Sequence, residues 1–328
     1  MAKPDLYICH TAYHLLIAIV RALRAGGRQA VWLSGQISNA EALAASHKLD
    51  GIFSTVCVLQ ESRWPGVVTG PFAHCRNRRA FEKAVGANLA RDAFHNIYIC
   101  NDWSVTGRYL QDCRAPYILC EDTVGGTLDP DQHLLDQQRS APDFAAKQRG
   151  HGYLYWGDSP CCRLVESEDA ARCTLFPPEK LTTFSKKALL ESLTPAEKAA
   201  VRGVFLTRPL PEDPAALADA TLLLTRSFVA DGLMDQDTQD AMFRAVAAKY
   251  ADGPLYIKTH PRDTTDYQAL FPGAVVLERT MPSEVLNFCL PGKFRRAVTV
   301  QSWVLRGFTA AEENIFLSLE EAKALIQR

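Results

Sequence analysis

Short, almost unbroken apolar runs that each end on a polar cluster limit most sharply what this chain can fold into. Leu6-Tyr7-Ile8-Cys9, Asn96-Ile97-Tyr98-Ile99-Cys100 and Pro116-Tyr117-Ile118-Leu119-Cys120 are too short for core helices. The last two do not alternate polar with apolar, as expected of strands covered on both faces. Between the first run and Ala30–Leu33, Tyr13 to Arg24 has helical spacing, with Thr11 placed to cap it and Gly26-Gly27 to end it. That βαβ opening indicates a parallel sheet.

The second half repeats the pattern. Strands are expected at Thr221–Thr225, Leu255–Lys258, Ala274–Leu277 and Arg296–Val300, with an amphipathic helix at Asp237–Tyr250. A charged terminal helix is expected at Glu312–Gln327. Asp158 to Pro214 is rich in proline, so the interdomain connection is placed in its early part. For 328 residues, roughly 150 per domain gives two domains, 1–155 and 156–328, each an α/β Rossmann-like unit.

Composition excludes several classes. With 36 Lys+Arg against 37 Asp+Glu the net charge is -1, so no global field recruits nucleic acid. The ten cysteines form no C-x-x-C, and several sit inside apolar runs, so buried thiols in a reduced compartment are expected rather than disulfide staples. The early apolar run Leu15–Val20 is too short for a signal or spanning segment, which leads to the expectation of a cytosolic protein.

Polar clusters follow the strands, where open α/β sheets bind ligands. They are Cys9-His10-Thr11-Ala12-Tyr13, Glu121-Asp122-Thr123, Thr259-His260-Pro261-Arg262-Asp263, Pro282-Ser283-Glu284 and Gln301-Ser302. Each also has a plain structural reading: an acidic pair can cap a helix, His-Pro can be a turn, and Glu284 can complement a helix dipole. His10 and His14 are four apart, but no H-E-x-x-H glutamate follows, which argues against a metal site. Asp129-Pro130-Asp131 and Asp235-Gln236-Asp237 read as turn or helix-start residues. P-loop, dinucleotide and G-x-S-x-G signatures are absent. Arg76, Arg78 and Arg79 form one tight basic cluster, either a solvated helix face or a contact for an anionic acceptor or membrane surface.

In order, LYICHTAYHLL, ICNDWS, YILCEDT, LLLTRSF, YIKTHPRDTTDY, MPSEVL and TVQS resemble glycosyltransferase family 52, which includes bacterial lipooligosaccharide sialyltransferases. The resemblance runs from residue 6 to about 305, and IKTHPRD, close to the family's K-P-H-P-R-D, is its most specific piece. It implies a GT-B fold, two Rossmann-like domains facing a central cleft, with inversion at the transferred sugar and no metal. By the same resemblance Asp122 is the general base. His260 contacts the CMP phosphate and helps the leaving group depart, with Pro261, Arg262, Gln301 and Ser302 beside it. Glu284 holds the ribose. His10, Thr11, Tyr13, Asp102 and Glu121 lie on the acceptor side.

The implied reaction moves sialic acid from CMP-sialic acid to a terminal galactose of lipooligosaccharide or capsule. It would be carried out by a cytoplasmic protein, peripheral at the inner face of the membrane and homodimeric by family analogy. Three residues depart from the family pattern: Thr123 for the glycine of E-D-G, Gln301 for the first serine of Ser-Ser, and Thr259 for proline. They leave open another nucleotide sugar donor, a hexose or N-acetylhexosamine, and an inactive binding paralogue.

Overall fold

The apolar runs become the centres of two all-parallel sheets. A computed structural model describes residues 3–26, 28–89, 93–122, 152–173, 176–206, 213–305 and 307–326. The chain divides into two compact units, Met1–Glu197 and Lys198–Arg328.

In the first unit the strands are β1 (Leu6–Cys9), β2 (Ala30–Ser34), β3 (Thr55–Leu59), β4 (Ile97–Ile99), β5 (Tyr117–Cys120), β6 (Cys162–Ser167) and β7 (Leu181–Thr183). They pair in the order β3-β2-β1-β4-β5-β6-β7, every pair parallel. All four residues of β1 and of β5 are buried, as the unbroken apolar runs require. In the second unit β8 (Thr221–Leu224), β9 (Leu255–Lys258), β10 (Val275–Leu277), β11 (Phe294–Val300) and β12 (Ala311–Leu317) pair in the order β10-β9-β8-β11-β12. This sheet is also parallel throughout. In both sheets the strand order reverses beside the first strand, between β1 and β4 and between β8 and β11. These switch points leave a crevice at the carboxyl ends of the strands, where such sheets bind ligands.

The α/β class and the two Rossmann-like units match the expectation; the division between them differs. The proline-rich stretch after residue 155 was expected to be the connection. Instead β6 and β7 extend the first sheet, with Cys162 and Val165 buried in its core, so the units meet at Glu197/Lys198. The expected terminal helix is also shorter. Ala311–Leu317 is an edge strand on β11 that exposes Glu312 and Glu313 together with Asn314 and Phe316, and only Leu319–Ala324 is helical. A capping box formed by Ser318 and Glu321 starts that helix directly after the strand.

No described helix is long and apolar enough to cross a membrane. All ten cysteines are free thiols. Asp235 caps the helix Gln236–Tyr250 by accepting from the Thr238 amide, as its D-x-D setting suggested. Asp129, Asp131 and Thr123 lie outside the described residues.

Candidate active site

The first unit gathers its polar groups beyond β1, β4 and β5. Thr11 caps α1 (Ala12–Ala25) by accepting from the His14 amide at 3.1 Å, which places Tyr13 and His14 in the helix's first turn. The His10 amide donates to Nδ1 of His14 at 3.2 Å, and Nε2 is the ring nitrogen turned to the strand ends. That nitrogen meets Oδ1 of Asp122, two residues beyond β5. His14 is buried, while the Asp122 side chain keeps 38% of its surface exposed. Burial opposes charge on both, but it is outweighed. Asp122 is held below the usual carboxylate range by His14, Lys186 and His10, and His14 is raised by Cys100 and Asp122. The result is an ionised, partly exposed carboxylate held in one orientation by a buried imidazole.

Lys186 completes this group and was missed by sequence reasoning. It is buried, its Nζ donates to the Glu121 carbonyl oxygen, and it lies 5.9 Å from the centre of the Tyr13 ring. Nothing in the sequence separates it from exposed Lys187 beside it.

Three expected acceptor-side residues are engaged in other contacts. The Glu121 carboxylate accepts from the Glu168 amide at 2.6 Å, tying the end of β5 to the end of β6. Buried His10 sits 3.6 Å from Glu61, itself buried and bonded to Ser34 and, at 2.6 Å, to Thr106. Asp102 is fully buried and accepts from the Trp156 and Gly157 amides at 2.7 and 2.9 Å and from the Tyr117 hydroxyl at 3.0 Å. Burial pushes its carboxyl up to about 6 against those three bonds. Its role in this structure is to hold the chain entering β6, because every contact it makes is internal.

In the second unit the His-Pro turn leaves β9. The His260 amide donates to Thr225 Oγ1 at 3.0 Å, and the Arg262 amide donates to His260 Nδ1 at 3.2 Å. Nε2–H is therefore the ring's remaining donor. Burial and the Arg262 charge lower the pKa of this imidazole.

Asp263, also unassigned from sequence, is the hub of the turn. It is buried and accepts from the Tyr267 hydroxyl at 2.7 Å, the Thr265 amide at 3.1 Å, the Thr225 hydroxyl at 3.2 Å and Gln239 at 3.4 Å. Arg226, just past β8, donates to the Gln301 carbonyl at 2.6 Å, and Asp231 pairs with both Arg226 and Arg262. Thr225, His260 and Gln301 thus assemble at the β8/β11 switch point. Gln301 has φ 47, a left-handed conformation uncommon for a non-glycine residue. Ser302 accepts from the Val304 amide at 3.3 Å. Pro261 is exposed within the turn. Glu284, on the single turn Ser283–Val285, is raised above the usual carboxylate range by burial, with the Lys258 charge opposing. Burial in turn lowers Lys258 to about 8, while its ammonium donates to the carbonyls of Thr259 and Arg279.

Comparisons with known proteins point the same way. The model of glycosyltransferase family 52 matches residues 182–305. A protein of Haemophilus influenzae is 34% identical over 86 residues, covering 26% of this chain and 28% of that protein. This chain therefore spans under a third of that relative. An α/β-galactoside α-2,3-sialyltransferase from Photobacterium phosphoreum superposes with a TM-score of 0.53 at 13% identity, covering 100% of this chain and 94% of that one. The S. aureus MnaA–UDP structure gives 0.50 at 11% identity, over 93% of this chain and 76% of that one. At these identities the likeness is one of fold. The two parallel units have the fold of the GT-B glycosyltransferases, and over residues 182–305 the chain carries the sequence pattern of glycosyltransferase family 52.

Proposed function

We propose that the protein is an inverting glycosyltransferase that moves sialic acid from CMP-sialic acid to a terminal sugar hydroxyl. The observation that carries this reading is the family match over 182–305, which includes His260, Glu284 and Ser302, on a unit that sets His260 and Gln301 at its switch point. In this mechanism ionised Asp122 takes the proton of the acceptor hydroxyl as its oxygen attacks the anomeric carbon. The bond to CMP breaks on the opposite side, and charge grows on the departing phosphate. His260 Nε2–H donates to that phosphate, and the anion itself draws the imidazole's lowered pKa back up. Ser302 adds a second donor, and Glu284 accepts from the ribose hydroxyls. Asp122 is placed by His14, which touches no substrate in this scheme.

We propose further that no metal takes part, and that the acceptor is a galactose-terminated, lipid-linked oligosaccharide met at a membrane surface. Turnover is expected to survive EDTA unchanged. A screen of thermal shifts with CMP, CDP, UDP and their sugars tests the donor. Stabilisation by CMP and CMP-sialic acid is expected, and selective stabilisation by UDP-sugars would overturn that choice. Gln301, in place of a serine hydroxyl and in a left-handed conformation, favours one second reading, the same fold using another nucleotide sugar.

A further inference from the structure

Three cysteines that the proposed mechanism leaves unused stand in one row beneath His14. In the β1–β4 pairing Ile8 lies opposite Ile99, and in the β4–β5 pairing Ile99 lies opposite Leu119. One residue further along, Cys9, Cys100 and Cys120 fall in register on three neighbouring strands. In-register residues of a parallel sheet point to the same face, with strands about 4.8 Å apart. That spacing lies inside the range of about 4.4–6.8 Å between Cα atoms that a disulfide spans. Cys9 and Cys120 are buried and Cys100 is half-buried. Cys100 and Cys120 line the same small cavity as His14 and Asp122, about 30 Å³ in volume, room for a solute of one or two heavy atoms.

The central thiol, Cys100, and its neighbour Cys120 differ in environment. The Cys120 sulfur also lies 3.2 Å from the Glu166 carboxylate. A bond from Cys120 and the neighbouring His14 hold the Cys100 thiol below its ordinary range despite its burial, whereas Cys120 is raised. This is the pairing of a reactive thiolate with a protonated resolving thiol. Among the described residues no group of three or more His, Cys, Asp or Glu side chains forms a metal site, so the row is not explained as a metal cage.

We propose that Cys100 and Cys120 are a reversible dithiol–disulfide couple that reacts with hydrogen peroxide and alters the His14–Asp122 pair above it. The Cys100 thiolate attacks one peroxide oxygen, and the O–O bond breaks. The hydroxide that leaves takes up the proton Cys100 had released. Cys120 sulfur then attacks the sulfenic sulfur, the S–S bond forms, and the S–O bond breaks. The departing hydroxyl leaves as water with the Cys120 proton, for which Glu166 is the nearby acceptor. Two thiols lose two electrons, and one peroxide gains them to give two waters.

Mapping of the disulfide tests the chemistry independently of any sugar transfer. Arg91, Arg108, Arg114 and Arg139 place Cys100 and Cys120 on separate tryptic peptides, with Cys113 on a third. The full chain is treated with peroxide, alkylated and digested without reductant. The expected product is one linked peptide pair, Cys100 to Cys120, lost after dithiothreitol and absent from Cys120→Ser. An unlinked, fully alkylated Cys100 with oxidation confined to exposed Cys75 would overturn the proposal, as would linkage of Cys100 to any other cysteine. The coupling is read by NMR titration of the His14 ring, whose midpoint should fall on oxidation and return with dithiothreitol. An unchanged midpoint contradicts the coupling even if the disulfide forms.

Discussion

His14 is held at both ring nitrogens, by a backbone amide on one side and by Asp122 on the other, and this arrangement predicts a pH effect. Asp122 has its pKa lowered by His14, so its ionised form contributes stability above the unfolded carboxylate value, lost as pH falls through the folded one. His14→Asn should raise the Asp122 pKa. The acid limb of the pH–rate profile then moves to higher pH, with maximal turnover reduced less than in Asp122→Asn. A profile superimposable on wild type would contradict the positioning role.

Asp122 and His260 were legible in the sequence because each follows a strand inside a short motif. The His14–Asp122 contact was not, because it joins residues 108 apart and depends on which strands become neighbours. Asp263 was visible only as the end of the His-Pro motif. Its value lies in the hydroxyls and amides from other elements that converge on it. Asp102 was misplaced for the converse reason: a carboxylate after a strand looks alike whether it faces solvent or caps buried amides.

At the scale of elements, caps and hubs fix where the chemistry sits. Thr11→Ala removes the α1 cap and should cost about 1 kcal/mol in urea unfolding. Asp263→Ala strands several buried donors at once. It should cost at least about 2 kcal/mol, and it should raise the apparent Kd for CMP, since His260 and Asp263 share Thr225. Loss of stability with unchanged CMP affinity would separate the turn from the binding site. The doubly covered strands were readable because unbroken apolar runs fit little else. Strands β3, β6, β7 and β12 were not: β3 is a half-exposed edge strand, β6 and β7 lie among prolines at the sheet margin, and β12 carries its charges outward on an edge, mimicking a polar helix.

For the whole molecule, two units with two switch points imply a division of labour. Asp122→Asn should keep wild-type affinity for CMP while turnover falls, because the proposed base lies in the first unit. His260→Ala should lose CMP affinity and turnover together. Isothermal titration with CMP, run beside the rate assay, distinguishes these patterns; equal loss of CMP affinity in both variants would contradict the division.

The most direct measurement follows sialic acid itself. CMP-sialic acid and a galactose-terminated oligosaccharide are incubated with wild type, Asp122→Asn and His260→Ala, and products are read by mass spectrometry. The expected result is a sialylated product with release of CMP by the wild type, and a fall of about 100-fold or more in each variant that remains folded. No product from CMP-sialic acid where a UDP-sugar gives one, or near-wild-type transfer by Asp122→Asn, would contradict the proposed reaction.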